Sequence, residues 1–154
     1  VMKLDTIDRQ LLALLQSDSK MNIKEIASKL NISKTPIYER IKKLEKSGVI
    51  DKYVAILDRK KIVTPMVVFC SVSLDSQKLK EIKDFSASIL KVPEVMECYL
   101  MSGSNDFLLK VVVKNLNDYH LFSSVKLAAL PNVAQIKSTF VLDEIKRATV
   151  LPIY

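Results

Sequence analysis

Ser33, Lys34, Thr35, Tyr38, Glu39, Lys42 and Lys43 fall within one short stretch of the chain. Together they present hydroxyls, a phenol, a carboxylate and ammonium groups, the donors and acceptors that match base edges and phosphates. This is the chemistry of non-covalent recognition. Chemistry of the bond-making kind is sparse. Cys70 and Cys98 lie inside apolar strand patterns and read as reduced core residues. His120 is the single histidine, and on an apolar helix face it reads as packing. Without close Cys/His spacing no metal site is expected. No paired carboxylates, nucleophile elbow or phosphate loop is visible, and two glycines leave little material for one. Neither an enzyme nor a cofactor is therefore expected.

The polar stretch needs a scaffold, and the spacing supplies one. Ala27 is small where one helix must admit another. Asn31 stands at a turn that requires a left-handed backbone, and β-branched Ile37 plugs the second helix into the core. This is the pattern of a helix-turn-helix, whose second helix enters the DNA major groove. Asn22 and Glu25 form a capping box ahead of Ile23, Ile26, Ala27 and Leu30, and Asp5 and Asp8 do the same for an earlier helix with Ile7, Leu11, Leu14 and Leu15 inward. Ser33 suits the N-cap of the second motif helix, and Pro36 falls in its first turn, where a missing N–H costs little. Gly48 ends the last of three helices, and residues 50–57 (IDKYVAIL) read as a strand.

A 100° step per residue places Ile37, Ile41 and Leu44 inward. Lys34, Thr35, Tyr38 and Glu39 then meet base edges, while Lys42 and Lys43 meet phosphates. Glu39 could accept from cytosine N4 or pair with Lys42 or Lys43. Arg40 lies near the inward face, open to an ion pair or a phosphate contact. Charge points the same way. Residues 1–61 hold 14 Lys/Arg against 8 Asp/Glu, whereas residues 62–154 hold 10 against 9. A basic module joined to a nearly neutral one suggests a double-stranded DNA partner for the first.

The remainder carries a weak repeat. Pro93-Glu94-Val95 recurs as Pro131-Asn132-Val133, and VVFCSVSL (67–74) aligns with DFLLKVVV (106–113). Two strand–helix–strand copies give βαββαβ, a four-stranded sheet with both helices on one face. A fifth strand could come from VLPIY. Val67, Val68, Phe69 and Cys70 are apolar towards both faces, as are Phe107, Leu108, Leu109, Val111, Val112 and Val113 around Lys110. Such an uncovered face predicts association, most simply a two-fold dimer presenting two recognition helices. The alternative is cover by the protein's own N-terminal part.

Residues 1–57 are expected to form the helix-turn-helix domain with its following strand, 58–66 the linker, and 67–154 the βαββαβ domain. Within the linker, Arg59-Lys60-Lys61 could touch flanking DNA backbone or be a solvated tether before Thr64-Pro65. Val1-Met2 reads as a processing remnant. With no apolar run of eighteen residues and no secretory leader, a cytoplasmic protein without membrane contact is expected.

Over essentially its whole length the chain resembles the Lrp/AsnC (feast/famine) transcription regulators. The match is carried by LDTIDRQLLALLQ, SKTPIYERIKKLEKSGVI, ECYLMSGSNDFLLK, and the late LP-x-V followed by STFVLDEIK. The resemblance implies an α+β chain: a winged-type helix-turn-helix domain, then a ferredoxin-like (RAM-type) sensing domain. It also implies dimers that often assemble into octamers, with an amino acid or similar metabolite bound between subunits. The family's sensing residues lie at positions 103–106. Here Gly103 supplies an unusual conformation or close approach, and Ser104, Asn105 and Asp106 offer hydroxyl, amide and carboxylate suited to a zwitterion. Met101, Ser138 and Thr139 are further lining by position, or simply strand-edge residues. The family usually has an acidic residue and an aromatic where this chain has Ser104 and Asn105. Two competitors to an amino-acid-responsive regulator are an architectural DNA binder with little specificity and no effector, and an amino-acid-handling enzyme built on the βαββαβ domain.

Overall fold

The computed structural model describes residues 3–58, 61–62 and 65–153. Val1-Met2, Arg59, Lys60 and Thr64 lie outside the described residues. Two compact units emerge: one comprises the chain up to Leu57 together with the segment from Ile145, and the other runs from Asp58 to Glu144.

The first unit contains α1 (Thr6–Ser17), α2 (Ile23–Leu30) and α3 (Lys34–Lys46). Both expected capping boxes form: Asp8 N–H donates to Asp5 Oδ1 at 2.8 Å, and Glu25 N–H donates to Asn22 Oδ1 at 3.0 Å. Asn31 takes the left-handed conformation at φ 55°, ψ 40°, and Ile32 N–H donates back to Ala27 O at 3.0 Å. Gly48, at φ 74°, ends α3 in the same manner. Ser33 does occupy the N-cap of α3, but its side chain makes no capping bond, contrary to expectation. Leu11, Ile26, Ile37 and Leu44 are fully buried with Leu12 and Ala27. At about 1.5–3 kcal/mol per buried Leu or Ile, they outweigh caps at roughly 1 kcal/mol each. Leu12 is buried while Ile7 stays partly exposed, a small rotation of α1 from the face expected.

The expected strand over 50–57 is absent: residues 51–57 are exposed and pair with no strand of this chain. Their alternating apolar residues are a strand signal, but a strand exists only where another accepts its ladder. Tyr154 lies outside the described residues, and over the described residues 150–153 the expected fifth strand at VLPIY does not form, for a related reason. Its backbone is taken by a side chain of α1. Leu151 N–H donates to Gln16 Oε1 at 2.7 Å, Gln16 Nε2 donates to Leu151 O at 3.1 Å, and Ile153 packs on the helical core. Residues 145–153 therefore pack with the helical unit, not with the sheet.

The second unit is βαββαβ as expected. It holds β1 (Met66–Leu74), α4 (Leu79–Ile89), β2 (Val95–Leu100), β3 (Phe107–Val113), α5 (Leu116–Leu121) continuing as a π-helical turn (Phe122–Leu127), and β4 (Val133–Phe140). The strand order is β2-β3-β1-β4, all antiparallel. Val68, Cys70, Val72 and Leu74 alternate inward with Phe107, Leu109, Val111 and Val113, against Phe85, Ile89, Tyr119, Phe122 and Leu127 from the helical side. The repeat has a structural role: each Pro-x-Val precedes a returning strand. In the second copy Asn132, at φ 67°, accepts from Ser76 N–H at 3.1 Å and donates to Ser76 O at 2.8 Å. Inside this core the Tyr119 hydroxyl meets Cys70 Sγ at 3.2 Å and Ser138 Oγ. Cys98 and His120 are corrections. Cys98 sits on the edge strand β2 and is exposed, and His120 is exposed on α5, its Nδ1 3.4 Å from Ser124 Oγ.

Candidate nucleic-acid interface and ligand loop

The candidate recognition helix α3 turns Ile37 and Leu44 into the core, so its other side must face solvent. Ser33, Lys34, Thr35, Tyr38, Glu39, Lys42 and Lys43 are all exposed there, Tyr38 at 46%. Lys34, Lys43 and Lys46 make no ion pair among the described residues, which leaves their ammonium groups available to an anion. Lys42 is engaged. Its Nζ donates to Glu45 Oε2 at 3.1 Å and lies 5.8 Å from the Tyr38 ring centroid. The Glu45 hydrogen bond raises the Lys42 pKa, and the same contact lowers that of Glu45, with help from the Tyr53 hydroxyl donating to Oε1 at 3.0 Å. Burial is the main cause raising the Tyr53 pKa, followed by that bond. Glu39 forms no ion pair with Lys42 or Lys43 in this structure; Lys42 pairs with Glu45 instead.

Arg40 resolves to the ion-pair reading. Its Nη1 donates to Asp5 Oδ2 and to Asp8 Oδ1, each at 2.6 Å, fastening the middle of α3 to the first turn of α1. Asp8 is the one buried charged residue among those described. The Asp5 carboxyl is held below its usual range, first by Asp8 N–H and then by the guanidinium, while the two carboxylates raise the Arg40 pKa. Arg40 thus sets the pose of the helix. Sequence reasoning left it undecided and did not single out Glu45 or Tyr53. The Lys42–Glu45 spacing of three residues was the available signal; Tyr53 gave none.

The candidate ligand loop joins β2 to β3. Met101 N–H donates to Asp106 O at 2.8 Å and closes the hairpin. Gly103 has φ 148°, a conformation L side chains resist, while the space where a Cβ would sit is open. The conformational explanation for Gly103 therefore holds, and within this chain close approach does not. Asn105 Nδ2 donates to Ser104 Oγ at 3.2 Å, and Ser73 Oγ donates to Asn105 Oδ1 at 3.4 Å. Asp106 is built into the sheet: its Oδ2 accepts from Leu74 N–H at 2.7 Å, and its own N–H donates to Val72 O at 2.9 Å. That carboxylate oxygen anchors the loop to β1. Met101, Gly103 and Ser104 are exposed, Asn105 and Asp106 partly so.

Thr139 is not brought to this loop. It sits in β4 opposite Phe69, whereas the loop reaches β1 at Ser73, roughly 13 Å along the strand at about 3.3 Å per residue. Ser138 faces the core side and is bound to Tyr119. Thr139 belongs to the sheet's other face, with Val67, Phe69, Leu108, Lys110 and Val112, which stay partly exposed. Lys110 Nζ donates to Glu97 Oε1 at 2.7 Å on that face, and Tyr99 OH to Glu97 Oε2 at 2.6 Å. Among the described residues no His/Cys/Asp/Glu group could hold a metal, and no helix is long and apolar enough to cross a membrane.

Comparison with known proteins assigns each of the two units to a family. Residues 4–51 match the winged helix-turn-helix DNA-binding family, and residues 67–151 match the Lrp/AsnC ligand binding domain. The chain is 36% identical over 151 residues to the Bkd operon transcriptional regulator of Pseudomonas aeruginosa, covering 98% of this chain and 99% of that one. Among solved structures it is similar to an AsnC family transcriptional regulator from Agrobacterium tumefaciens, with TM-score 0.89, 38% identity and 97% of each chain covered. It is also similar to a Neisseria meningitidis transcriptional regulator solved with L-Met, with TM-score 0.88, 31% identity and 97% of each chain covered. The chain belongs to the Lrp/AsnC family of transcriptional regulators, a DNA-binding helix-turn-helix unit followed by the family's ligand-binding domain, and is not an enzyme.

Proposed function

We propose that the chain reads specific DNA sites through the N-terminal half of α3 and that an amino acid, bound at the β2–β3 loop, controls how many such helices dock together. The observation that carries the DNA reading is the exposed row Lys34, Thr35, Tyr38 and Glu39 on a helix whose opposite side is locked by Ile37 and Leu44. The first four side chains meet base edges, Ser33 stands at the entry, and Lys42 and Lys43 contact phosphates.

Two copies join through the second face of the sheet. Val67, Phe69, Leu108 and Val112 give it an apolar centre, and Lys110–Glu97 lies beside them. Residues 51–57, with Tyr53, Val54, Ile56 and Leu57 exposed, gain a ladder by pairing with their two-fold mates. A dimer places recognition helices about one DNA turn apart, and higher assemblies such as an octamer multiply them. The effector meets Met101, Gly103, Ser104 and Asn105, with Asp106 holding the loop and Thr139 supplied from a partner subunit. The L-Met bound by the N. meningitidis relative supports an amino acid as its class. The whole assembly works in the cytoplasm.

The test is a thermal-shift series against the twenty amino acids at millimolar concentration. A ligand at about 100 times its Kd adds roughly 2.7 kcal/mol, several degrees for this chain. One clear hit that also changes assembly and DNA affinity supports the linkage. A flat series across concentrations overturns amino-acid sensing and leaves the DNA reading standing.

A further inference from the structure

We propose that Glu45 sets the DNA affinity of the helical unit by competing with the phosphate backbone for the Lys42 ammonium, with Tyr53 fixing the carboxylate that does so. The inference rests on the reading of α3 as the DNA-contacting helix and extends it to two residues, Glu45 and Tyr53, outside that reading.

The geometry is a chain of three side chains. Lys42 and Glu45 lie three residues apart on α3, on the same side of the helix. Both Glu45 oxygens are used: Oε2 accepts from Lys42 at 3.1 Å and Oε1 accepts from Tyr53 OH at 3.0 Å. The phenol removes the rotational freedom that an unrestrained surface glutamate keeps, so the carboxylate is aimed at Lys42. Tyr53 belongs to the segment that follows the helices, eight residues beyond Glu45. A phosphate approaching Lys42 must displace this carboxylate or accept its charge nearby, and either weakens binding without regard to sequence. Lys34 and Lys43, lacking such a partner among the described residues, face no comparable exchange. Glu45 is thus a positioning residue acting through Lys42.

Glu45→Gln keeps the size and the acceptor for Tyr53 while deleting the charge. In the full chain it should tighten binding to every duplex about threefold to fivefold, the scale of one exposed ion pair. It should also steepen the salt dependence by a fraction of the roughly 0.9 in log–log slope that one fully neutralised phosphate contributes. The deciding comparison is the same substitution in a Lys42→Ala background, with unchanged circular dichroism showing that each variant folds. Lys42→Ala alone should weaken all duplexes alike, and the Glu45→Gln gain should then vanish. A gain that survives in Lys42→Ala reflects net charge alone and overturns the proposal, as does an absent gain in the wild-type background. A wild-type chain without measurable duplex affinity, or a Lys42→Ala variant that binds as wild type does, overturns the underlying reading of α3 instead.

Discussion

Removing the Arg40 guanidinium should loosen the helical unit more than any other surface-proximal truncation on α3. Arg40 Nη1 sits 2.6 Å from both Asp5 and Asp8, and the Asp8 side chain is only 5% exposed. Arg40→Ala leaves that carboxylate buried without its cation. Breaking a fully buried pair costs about 3–5 kcal/mol, whereas exposed pairs are worth about 0–1 kcal/mol. With the Arg40 side chain 29% exposed, the Arg40–Asp8 contact falls between these limits, near 2 kcal/mol. In a unit of this size that is roughly 8–16 °C in Tm. The assay is thermal unfolding of Arg40→Ala, Asp8→Ala and the double variant, followed by helical circular dichroism. The cycle should show coupling above about 1 kcal/mol. Acid adds a second check. The Asp5 carboxyl is depressed below 3.8 in the folded chain, so its contribution is present above that value and lost as pH falls through the folded pKa. The Asp5 part of the gap between wild-type and Arg40→Ala stabilities should therefore close at the acid end. Strictly additive single losses, or a Tm change under about 2 °C in Arg40→Ala, would refute the reasoning.

Other consequences can be measured independently. Gln16→Ala removes both bonds to Leu151 and should cost about 1 kcal/mol. It should also speed amide exchange at Leu151 and cleavage within 145–153; an unchanged Leu151 protection factor would contradict the docking of that segment. The Tyr119 pKa is pushed up to about 12, by burial first and the Cys70 contact next, with Ser138 opposing. A phenol whose folded pKa is raised stabilises fully below the unfolded value near 10 and loses that contribution as pH rises through about 12. Ultraviolet titration should show a last-ionising phenol whose step Tyr119→Phe removes; a wild-type titration complete by pH 11 would contradict the buried cluster.

What could be read from the sequence was what is decided locally. Asn31 and Gly48 announce left-handed backbone by their types, Asn22–Glu25 and Asp5–Asp8 announce helix starts, and the nearly unbroken apolar runs of β1 and β3 announce strands apolar on both faces, of which the fold buries one. What needed the fold was partnership across distance. Arg40 could not be assigned until α1 was beside α3, and Tyr53 gave no sign that it reached Glu45. The strand signal of 50–57 and of VLPIY was real as composition, but neither segment finds a ladder in this chain. Cys98 and His120 follow apolar patterns yet sit at a sheet edge and a helix exterior, because periodicity names a face without naming its cover. At the loop between β2 and β3 the sequence named polar residue types without their commitments. Only the structure shows that Asp106 is committed to Leu74 and that Thr139 stands well away.

The central claim is sequence-specific reading by the N-terminal half of α3. Its most direct test is selection of bound duplexes from a random pool, followed by the specific-to-nonspecific affinity ratio at one fixed salt concentration for wild type, Thr35→Ala and Lys42→Ala. The account predicts a wild-type ratio of at least about 10³, a changed preferred site for Thr35→Ala, and uniform weakening with a flatter salt slope for Lys42→Ala. A wild-type ratio near unity, with all three proteins binding every duplex alike, would contradict it and make the chain an architectural DNA binder.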